Sequence, residues 1–145
     1  MAELLRLPDA GSPLPQKITV ASTVLTPAPI PSGDVLAGNP TASSSPLVCS
    51  SDDGFSAALW TCTPGSFRWF YASDEIIHIL EGEVRVVSDH GGAPLEFVGG
   101  DVVYFPRGTS AVWEIRKTIR KIAILRSNTA DPLGRLRGAL TRRGD

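Results

Sequence analysis

The sequence predicts an all-β domain whose short antiparallel strands close into a barrel or sandwich. The first reason is the pattern between residues 60 and 113, where short apolar runs alternate with turns built on Gly, Pro, Asp or Ser. The second reason is that no part of this domain shows a convincing helical pattern. A chain of 145 residues with 42% hydrophobic residues suits one domain with one core.

Residues 1–46 are predicted to form an extended N-terminal arm that lies along the barrel or along a partner subunit. Eight of the twelve prolines fall in this segment, and each proline removes a donor from a sheet ladder. Residues 17–25 form at most one edge strand. The stretch 39–46, rich in Ser and Pro, is the expected hinge into the barrel.

The predicted barrel spans residues 47–128 and contains about nine strands. Turn residues separate these strands, and the clearest are Asp52-Asp53-Gly54, the pair Glu81-Gly82 and the segment Pro106-Arg107-Gly108. Residues 83–87 alternate charged and apolar side chains, which is typical of a half-exposed strand. The predicted strands are residues 47–50, 55–61, 67–71, 75–80, 83–87, 95–98, 101–105, 111–115 and 119–125.

Residues 129–145 are predicted to be a basic, solvated C-terminal tail. Ten Lys or Arg residues lie between Arg107 and Arg143, and four of them fall in this tail. A weak helix over residues 131–143 is disfavoured by Gly134 and Gly138.

The overall charge and the cysteine content exclude several classes of protein. A formal net charge of -1 argues against binding to nucleic acid or to an anionic membrane surface. No secretory leader and no membrane-spanning run is expected. The two cysteines, Cys49 and Cys62, are interpreted as small apolar residues of a reduced, cytoplasmic protein.

Two spaced motifs in the barrel region resemble the cupin superfamily of small jelly-roll barrels, also called double-stranded β-helices. Glu75 is separated from Gly82 by six residues, and Gly100 is followed by Pro106 and Gly108. Together with Trp60-x-x-x-Pro64-Gly65, these features are similar to the cupin subfamily named after ureidoglycine aminohydrolase, which includes the ethanolamine-utilisation cupin. The resemblance covers roughly residues 60–126.

The resemblance also implies a metal site that this chain does not reproduce. A typical cupin holds a divalent metal with three His and one Glu. The three His positions fall here on Trp69, Tyr71 and Ala111, so that only Glu75 remains. One carboxylate does not hold a transition metal, which needs three or more protein ligands. We therefore expect no metal and no other cofactor.

Neither histidine is expected to replace a missing ligand. Side chains alternate along a strand, so that His78 faces away from Glu75, Ile77 and Ile79. His90 lies in a glycine-rich hairpin loop and is expected to be solvated.

The resemblance instead places aromatic side chains inside the barrel beside Glu75. Trp69 and Trp113 are candidate ligand-binding residues, and Trp113 shares a strand face with Ala111. Glu75 is a candidate acid or base, with Tyr71 as a hydrogen-bond partner. Further candidate ligand contacts are Arg68, Tyr104 and Lys121. The alternative is a plain aromatic core in which Arg68 or Lys121 neutralises Glu75.

Three functions remain open at this point. The first is binding of a small polar metabolite without a metal, extending to metal-independent catalysis through Glu75. The second is a non-catalytic ligand-binding or assembly module. The third is a metal-dependent hydrolase resembling ureidoglycine aminohydrolase with unusual ligands. A homodimer is expected in each case, because the arm carries apolar residues such as Val24 and Leu25 without a core of its own.

Overall fold

The computed structural model describes residues 13–127, and these form a β structure with nine strands. Two single 3-10 turns, Val20–Ser22 and Ser32–Asp34, are the only helical segments among the described residues. None of the described residues forms a helix long and apolar enough to cross a bilayer. The strands are β1 (Thr26–Pro27), β2 (Val35–Gly38), β3 (Ala42–Cys49), β4 (Phe55–Cys62), β5 (Gly65–Phe70), β6 (Glu75–Ser88), β7 (Leu95–Val98), β8 (Val102–Phe105) and β9 (Ser110–Arg126).

The two longest strands, β6 and β9, join the two halves of the barrel. One half has the strand order β1-β3-β4-β9-β5-β2, and the other consists of β6 with β7 and β8 along its edge. All of these pairings are antiparallel. Because β9 pairs with β4, β5 and β6, the sheet curls around one apolar interior. This confirms the predicted cupin barrel.

Gly82 bends β6 where the sequence predicts a turn between two strands. The backbone continues as one strand, but its pairing with β9 shifts register on either side of Gly82. Gly82 has a φ of 103°, and a Cβ there would collide with the Thr118 carbonyl oxygen and lie 2.8 Å from the Ile119 Cα. Glycine is therefore required by both the backbone conformation and the close approach of β9.

Alternation along β6 sorts its side chains between the interior and the surface. Glu75, Ile77 and Ile79 are buried, whereas Ile76 and His78 are exposed. This confirms the parity predicted from the sequence. The result places Glu75 inside the barrel and His78 outside it.

The sheet extends further toward the N-terminus than a boundary at residue 46 predicts. Strand β1 pairs with β3, β2 pairs with β5, and Ile30 and Ala42 belong to the core. Pro46 lies within β3 at a register shift, where a strand tolerates proline, instead of in a hinge. The first twelve residues of the predicted arm, the tail at 129–145 and the weak helix at 131–143 lie outside the described residues.

Candidate functional site

A cavity of about 340 Å³ opens between the inner faces of the barrel. Four aromatic rings form most of its wall, and its two charged lining residues, Glu75 and Lys121, are both buried. The segment predicted to be an arm closes one side through Ala28, Pro29 and Ser44. The lining residues are Ala28, Pro29, Ser44, Ala58, Trp60, Phe67, Trp69, Glu75, Trp113, Lys121, Ala123 and Leu125.

The pairing of three strands holds the aromatic wall in place. Phe67 on β5 lies opposite Trp113 on β9, and their rings stack with centroids 6.0 Å apart. Trp60 on β4 meets both rings edge-on at 6.2 Å, and Trp69 meets Phe67 edge-on at 6.1 Å. Edge-to-face and stacked contacts of this kind stabilise aromatic clusters. Rigid rings on fixed strands keep the cavity open, because they cannot collapse as flexible aliphatic chains do.

Glu75 and Lys121 form an ion pair at the cavity wall. Lys121 Nζ lies 3.6 Å from Glu75 Oε2, and the two side chains are only 8% and 6% exposed. The distance is that of an ion pair slightly longer than a hydrogen bond. Lys121 Nζ also lies 4.6 Å from the ring centroids of both Trp60 and Trp113. The ammonium therefore has a carboxylate and two π faces as its partners.

The burial of Lys121 weakens its hold on a proton. Desolvation lowers the pKa of the Lys121 ammonium from its ordinary value, and the negative charge of Glu75 opposes this shift without cancelling it. Lys121 lies opposite Ile79 on β6, whereas Glu75 lies opposite Leu125. The two residues are therefore not directly opposite each other, and their long side chains span the offset between them.

The turn before β6 fixes the position of Glu75. Asp74 Oδ1 accepts a hydrogen bond of 2.9 Å from the backbone N–H of Arg107 and one of 3.0 Å from the Tyr104 hydroxyl. These two donors hold the pKa of the Asp74 carboxyl below its usual value. The Asp74 carbonyl also accepts a hydrogen bond from the Arg126 N–H, which ties the start of β6 to the end of β9.

Tyr71 lies behind the cavity wall. Its hydroxyl oxygen accepts a hydrogen bond of 2.7 Å from Trp113 Nε1, and both side chains are buried. Burial, with a smaller contribution from the nearby Glu75 charge, raises the pKa of Tyr71 well above its ordinary value. Among the described contacts, the Tyr71 hydroxyl has its hydrogen bond with Trp113 and not with Glu75. Tyr71 is thus positioned to orient an indole of the wall.

Arg68 and Tyr104 point away from the cavity, which differs from the prediction that they contact a ligand. Arg68 neighbours the inward-facing Trp69, so that alternation places its side chain outside, where it pairs with Asp89 at 3.0 Å. Tyr104 lies opposite Ile76 on the outer face and is 58% exposed. Of the two cations proposed to neutralise Glu75, the structure selects Lys121.

Sequence reasoning names four of the twelve residues that line the cavity and misses the other eight, among them two aromatic residues and a serine. Phe67 shares a strand face with Trp69, so alternation alone would have found it. Trp60 belongs to the motif that resembles the cupin subfamily and to the predicted strand 55–61, but its inward direction follows only from its place opposite Lys121. Ser44 was assigned to the hinge, and no local pattern places its hydroxyl beside the cavity.

The donor set does not fit the metal of a typical cupin. Trp69 and Ala111, which lie opposite each other on β5 and β9, carry no metal-binding group. The Tyr71 hydroxyl accepts a hydrogen bond from Trp113, and the Lys121 ammonium lies beside Glu75. Within residues 13–127, no group of three or more His, Cys, Asp or Glu side chains is placed to hold a metal ion. His78 faces outward, and His90 Nε2 accepts a long contact of 3.4 Å from the Ser110 N–H in an exposed loop.

Comparison of the sequence with protein families gives one assignment. The model of the EutQ-like cupin domain matches residues 49–123, which is more than half of the chain. The chain belongs to the EutQ-like cupin domain family. No curated protein sequence matches this cupin significantly.

Solved structures place this cupin among related barrels. A Salmonella typhimurium protein assigned as ethanolamine utilization protein Q is 25% identical, with a TM-score of 0.52 over 59% of this chain and 69% of that chain. A DUF861 protein of unknown function from Pseudomonas syringae pv. tomato has a TM-score of 0.64 at 22% identity, covering 72% of this chain and 45% of that chain. The Streptomyces resistomycificus polyketide cyclase RemF shares the fold at 17% identity, with a TM-score of 0.55 over 78% of this chain and 80% of that chain.

Proposed function

We propose that this cupin binds a small metabolite in the aromatic cavity, with the polar group of the metabolite at the Glu75–Lys121 pair. The observation that carries the proposal is a buried ion pair lining a cavity instead of being packed inside a solid core. A cavity of about 340 Å³ is near the lower end of the range for small-molecule sites. The ligand is therefore small, with an apolar body against the indoles and a polar head at the pair.

Proton transfer is the chemistry that this pair supports best, and we propose Glu75 as the acid or base. An acid–base group must lie within reach of the bound ligand, and Glu75 lines the cavity directly. The adjacent Lys121 ammonium has a lowered pKa, so a proton passes more easily between the two groups than between an ordinary lysine and a carboxylate. Tyr71 has a supporting role in this scheme, because its hydroxyl holds the Trp113 indole.

We propose that the cavity acts without a transition metal, because its donor set is an ion pair between aromatic rings. Elemental analysis of mildly purified protein measures the metal-to-protein ratio. The expected ratio is far below one. A ratio near one that falls in the Glu75→Ala variant contradicts metal independence and favours a hydrolase with unusual ligands.

Intrinsic fluorescence gives a direct test of binding, because all three tryptophans of the chain line the cavity. A metabolite screen by thermal shift selects ligands that raise the melting temperature. A true cavity ligand then changes tryptophan emission with a saturable dependence on concentration.

The matched variants for this test are Glu75→Gln in the cavity and Arg68→Gln on the outer surface. Glu75→Gln is expected to weaken binding of the selected ligand about tenfold or more, since charge-assisted hydrogen bonds contribute about 1.5 to 3 kcal/mol. Arg68→Gln should leave the affinity unchanged. Ligands that stabilise the protein without changing tryptophan emission, or that bind both variants equally, contradict the proposed site.

A second proposal concerns assembly, because an apolar row crosses the outer face of three strands. Tyr104, Ile76 and Ile124 lie side by side on β8, β6 and β9, and Val102 lies next to them. All four side chains are exposed. Contiguous apolar patches of this kind mark interaction surfaces, and we propose that a second copy of the chain covers this one.

Light scattering tests the dimer with a pair of matched substitutions. Val102→Lys is expected to convert a dimer into a monomer at micromolar concentration, because it places a charge in the apolar row. Leu95→Lys changes another exposed apolar residue outside the row and should leave the dimer intact. A wild-type chain that is monomeric at this concentration contradicts the proposal.

A further inference from the structure

Lys121 is the primary amine at the wall of the cavity, and its surroundings suit a reaction with a carbonyl group. Its Nζ lies 4.6 Å from the ring centroids of both Trp60 and Trp113 and 3.6 Å from Glu75 Oε2. We propose that Lys121 forms a Schiff base with an aldehyde or ketone ligand, with Glu75 shuttling the protons. This inference rests on the proposed binding function and names the ligand class for the same cavity.

The other potential nucleophiles near the cavity are less suited to this role. Burial raises the pKa of the Cys62 thiol to about 11, and the cavity wall does not include it. The Tyr71 hydroxyl has a raised pKa and accepts the hydrogen bond of Trp113. A lysine that is desolvated in an apolar pocket is, by contrast, a recognised way of activating an amine.

The reaction balances within the ion pair and needs no redox partner. Glu75 takes one proton from the Lys121 ammonium, which leaves a neutral amine and a neutral carboxylic acid. The Nζ lone pair attacks the carbonyl carbon, the C–O π bond breaks, and a proton moves from nitrogen to oxygen to give a carbinolamine. The Glu75 acid then protonates the hydroxyl group, which leaves as water while the C=N bond forms. The products are a protonated imine, one water molecule and the Glu75 carboxylate.

The product keeps the interactions that hold the ammonium. The protonated imine carries the same single positive charge at the same nitrogen, so the Glu75 carboxylate and the two indole faces remain its partners. The substituents of the carbonyl carbon extend into the cavity toward Phe67 and Trp69. An aldehyde or ketone with a small apolar body therefore matches both the charge and the walls.

Reductive trapping of the wild-type protein tests the proposal without any variant. The protein is incubated with propanal or benzaldehyde in the presence of cyanoborohydride, and labelled lysines are located by peptide mass spectrometry. The chain contains two further lysines, Lys17 and Lys117, which are both exposed and serve as internal controls. Lys121 is expected to be labelled about tenfold faster than either control with at least one of the aldehydes. Labelling of Lys121 that is no faster than that of Lys17 and Lys117 with both aldehydes overturns the inference.

Parallel measurements separate this inference from the proposed function. Tryptophan emission is titrated with each aldehyde in the absence of reductant. A saturable change without selective trapping of Lys121 overturns the Schiff base and leaves cavity binding in place. Failure of the metabolite screen and of the Glu75→Gln comparison contradicts the binding function itself.

Two variants sharpen the role of each partner. Glu75→Gln keeps the amine but removes the proton shuttle, so Lys121 labelling is expected to slow about tenfold, within the usual range for loss of an acid–base group. The double variant Glu75→Leu with Lys121→Met replaces the pair by apolar side chains of similar size, and it is expected to fold without the amine. Unchanged Lys121 labelling in Glu75→Gln contradicts the proposed proton shuttle.

Discussion

Two ion pairs, one inside the barrel and one on its outer face, differ in almost every physical respect. Glu75 and Lys121 are 6% and 8% exposed and contact aromatic rings. Arg68 and Asp89 are 50% and 30% exposed, although their separation of 3.0 Å is shorter. Solvent and salt screen the outer pair, whereas the inner pair lies in an environment that disfavours isolated charge. Distance is therefore a poor guide to which pair matters for function.

The two ion pairs also differ in the groups that surround them. Asp89 also accepts a hydrogen bond of 2.7 Å from the Ser110 hydroxyl, so the outer pair belongs to a network that joins two strands and a hairpin. The inner pair has π faces and a cavity around it. The outer pair thus connects neighbouring structural elements. The inner pair lines the cavity, where a ligand can contact it.

Breaking the inner pair is expected to have the largest effect on stability. Lys121→Met leaves Glu75 buried without its cation, which should reduce the free energy of unfolding by about 3 to 5 kcal/mol at neutral pH. Urea denaturation followed by circular dichroism measures this loss. A loss below about 1 kcal/mol would mean that water solvates Glu75 through the cavity.

Removing both partners of the inner pair should cost much less than removing one. The double variant Glu75→Leu with Lys121→Met is expected to recover most of the stability that Lys121→Met loses, because no unpaired charge stays buried. The double-mutant cycle with both single variants measures the coupling. Additive losses in the cycle would contradict a direct pairing of the two groups.

The Tyr71–Trp113 hydrogen bond behind the cavity wall is expected to have an intermediate effect. Tyr71→Phe leaves the Trp113 N–H buried without an acceptor, which should cost about 1 to 3 kcal/mol at neutral pH. The raised pKa of Tyr71 means that its phenol stays protonated in the folded state while it ionises in the unfolded state near pH 10. The free energy of unfolding of the wild type should therefore fall toward that of Tyr71→Phe as the pH rises above about 10.

This pH dependence is measured by urea denaturation of both proteins between pH 7 and pH 11. The difference in their free energies of unfolding should be constant below about pH 9 and should shrink above about pH 10. A difference that grows with pH would show that Tyr71 ionises more readily in the folded protein than in the unfolded chain.

The smallest effect is expected at the outer pair. Arg68→Gln removes a guanidinium whose partner carboxylate keeps a second donor in Ser110. The free energy of unfolding should stay within the error of the denaturation experiment, and tryptophan emission should not change. A shift in tryptophan emission would show that the outer ion pair affects the cavity, which would contradict the expected independence of the two ion pairs.

Much of the barrel was predictable because strand alternation is a local property. Glu75, Ile77 and Ile79 face inward and His78 faces outward, as the order of the residues along β6 predicts. The same rule, applied to the neighbours Trp69 and Phe105, would also have placed Arg68 and Tyr104 outside. The replacement of three expected metal ligands by Trp69, Tyr71 and Ala111 was likewise visible in the order of residues.

Other features depended on which strands became neighbours. The sequence alone leaves Arg68 and Lys121 as equal partners for Glu75, and the structure selects Lys121 because its side chain lies inside the barrel, whereas Arg68 pairs with Asp89 outside it. Trp60 and Ser44 reached the cavity through pairings of β4 with β9 and β3, which no local pattern encodes. Alternation along a strand depends on adjacent residues, whereas the size and lining of a cavity depend on cross-strand register and on how rigid rings pack. The amino-acid order therefore determined the barrel and its inward faces, and only the tertiary structure decided that those faces enclose a charged pair within an open aromatic cavity.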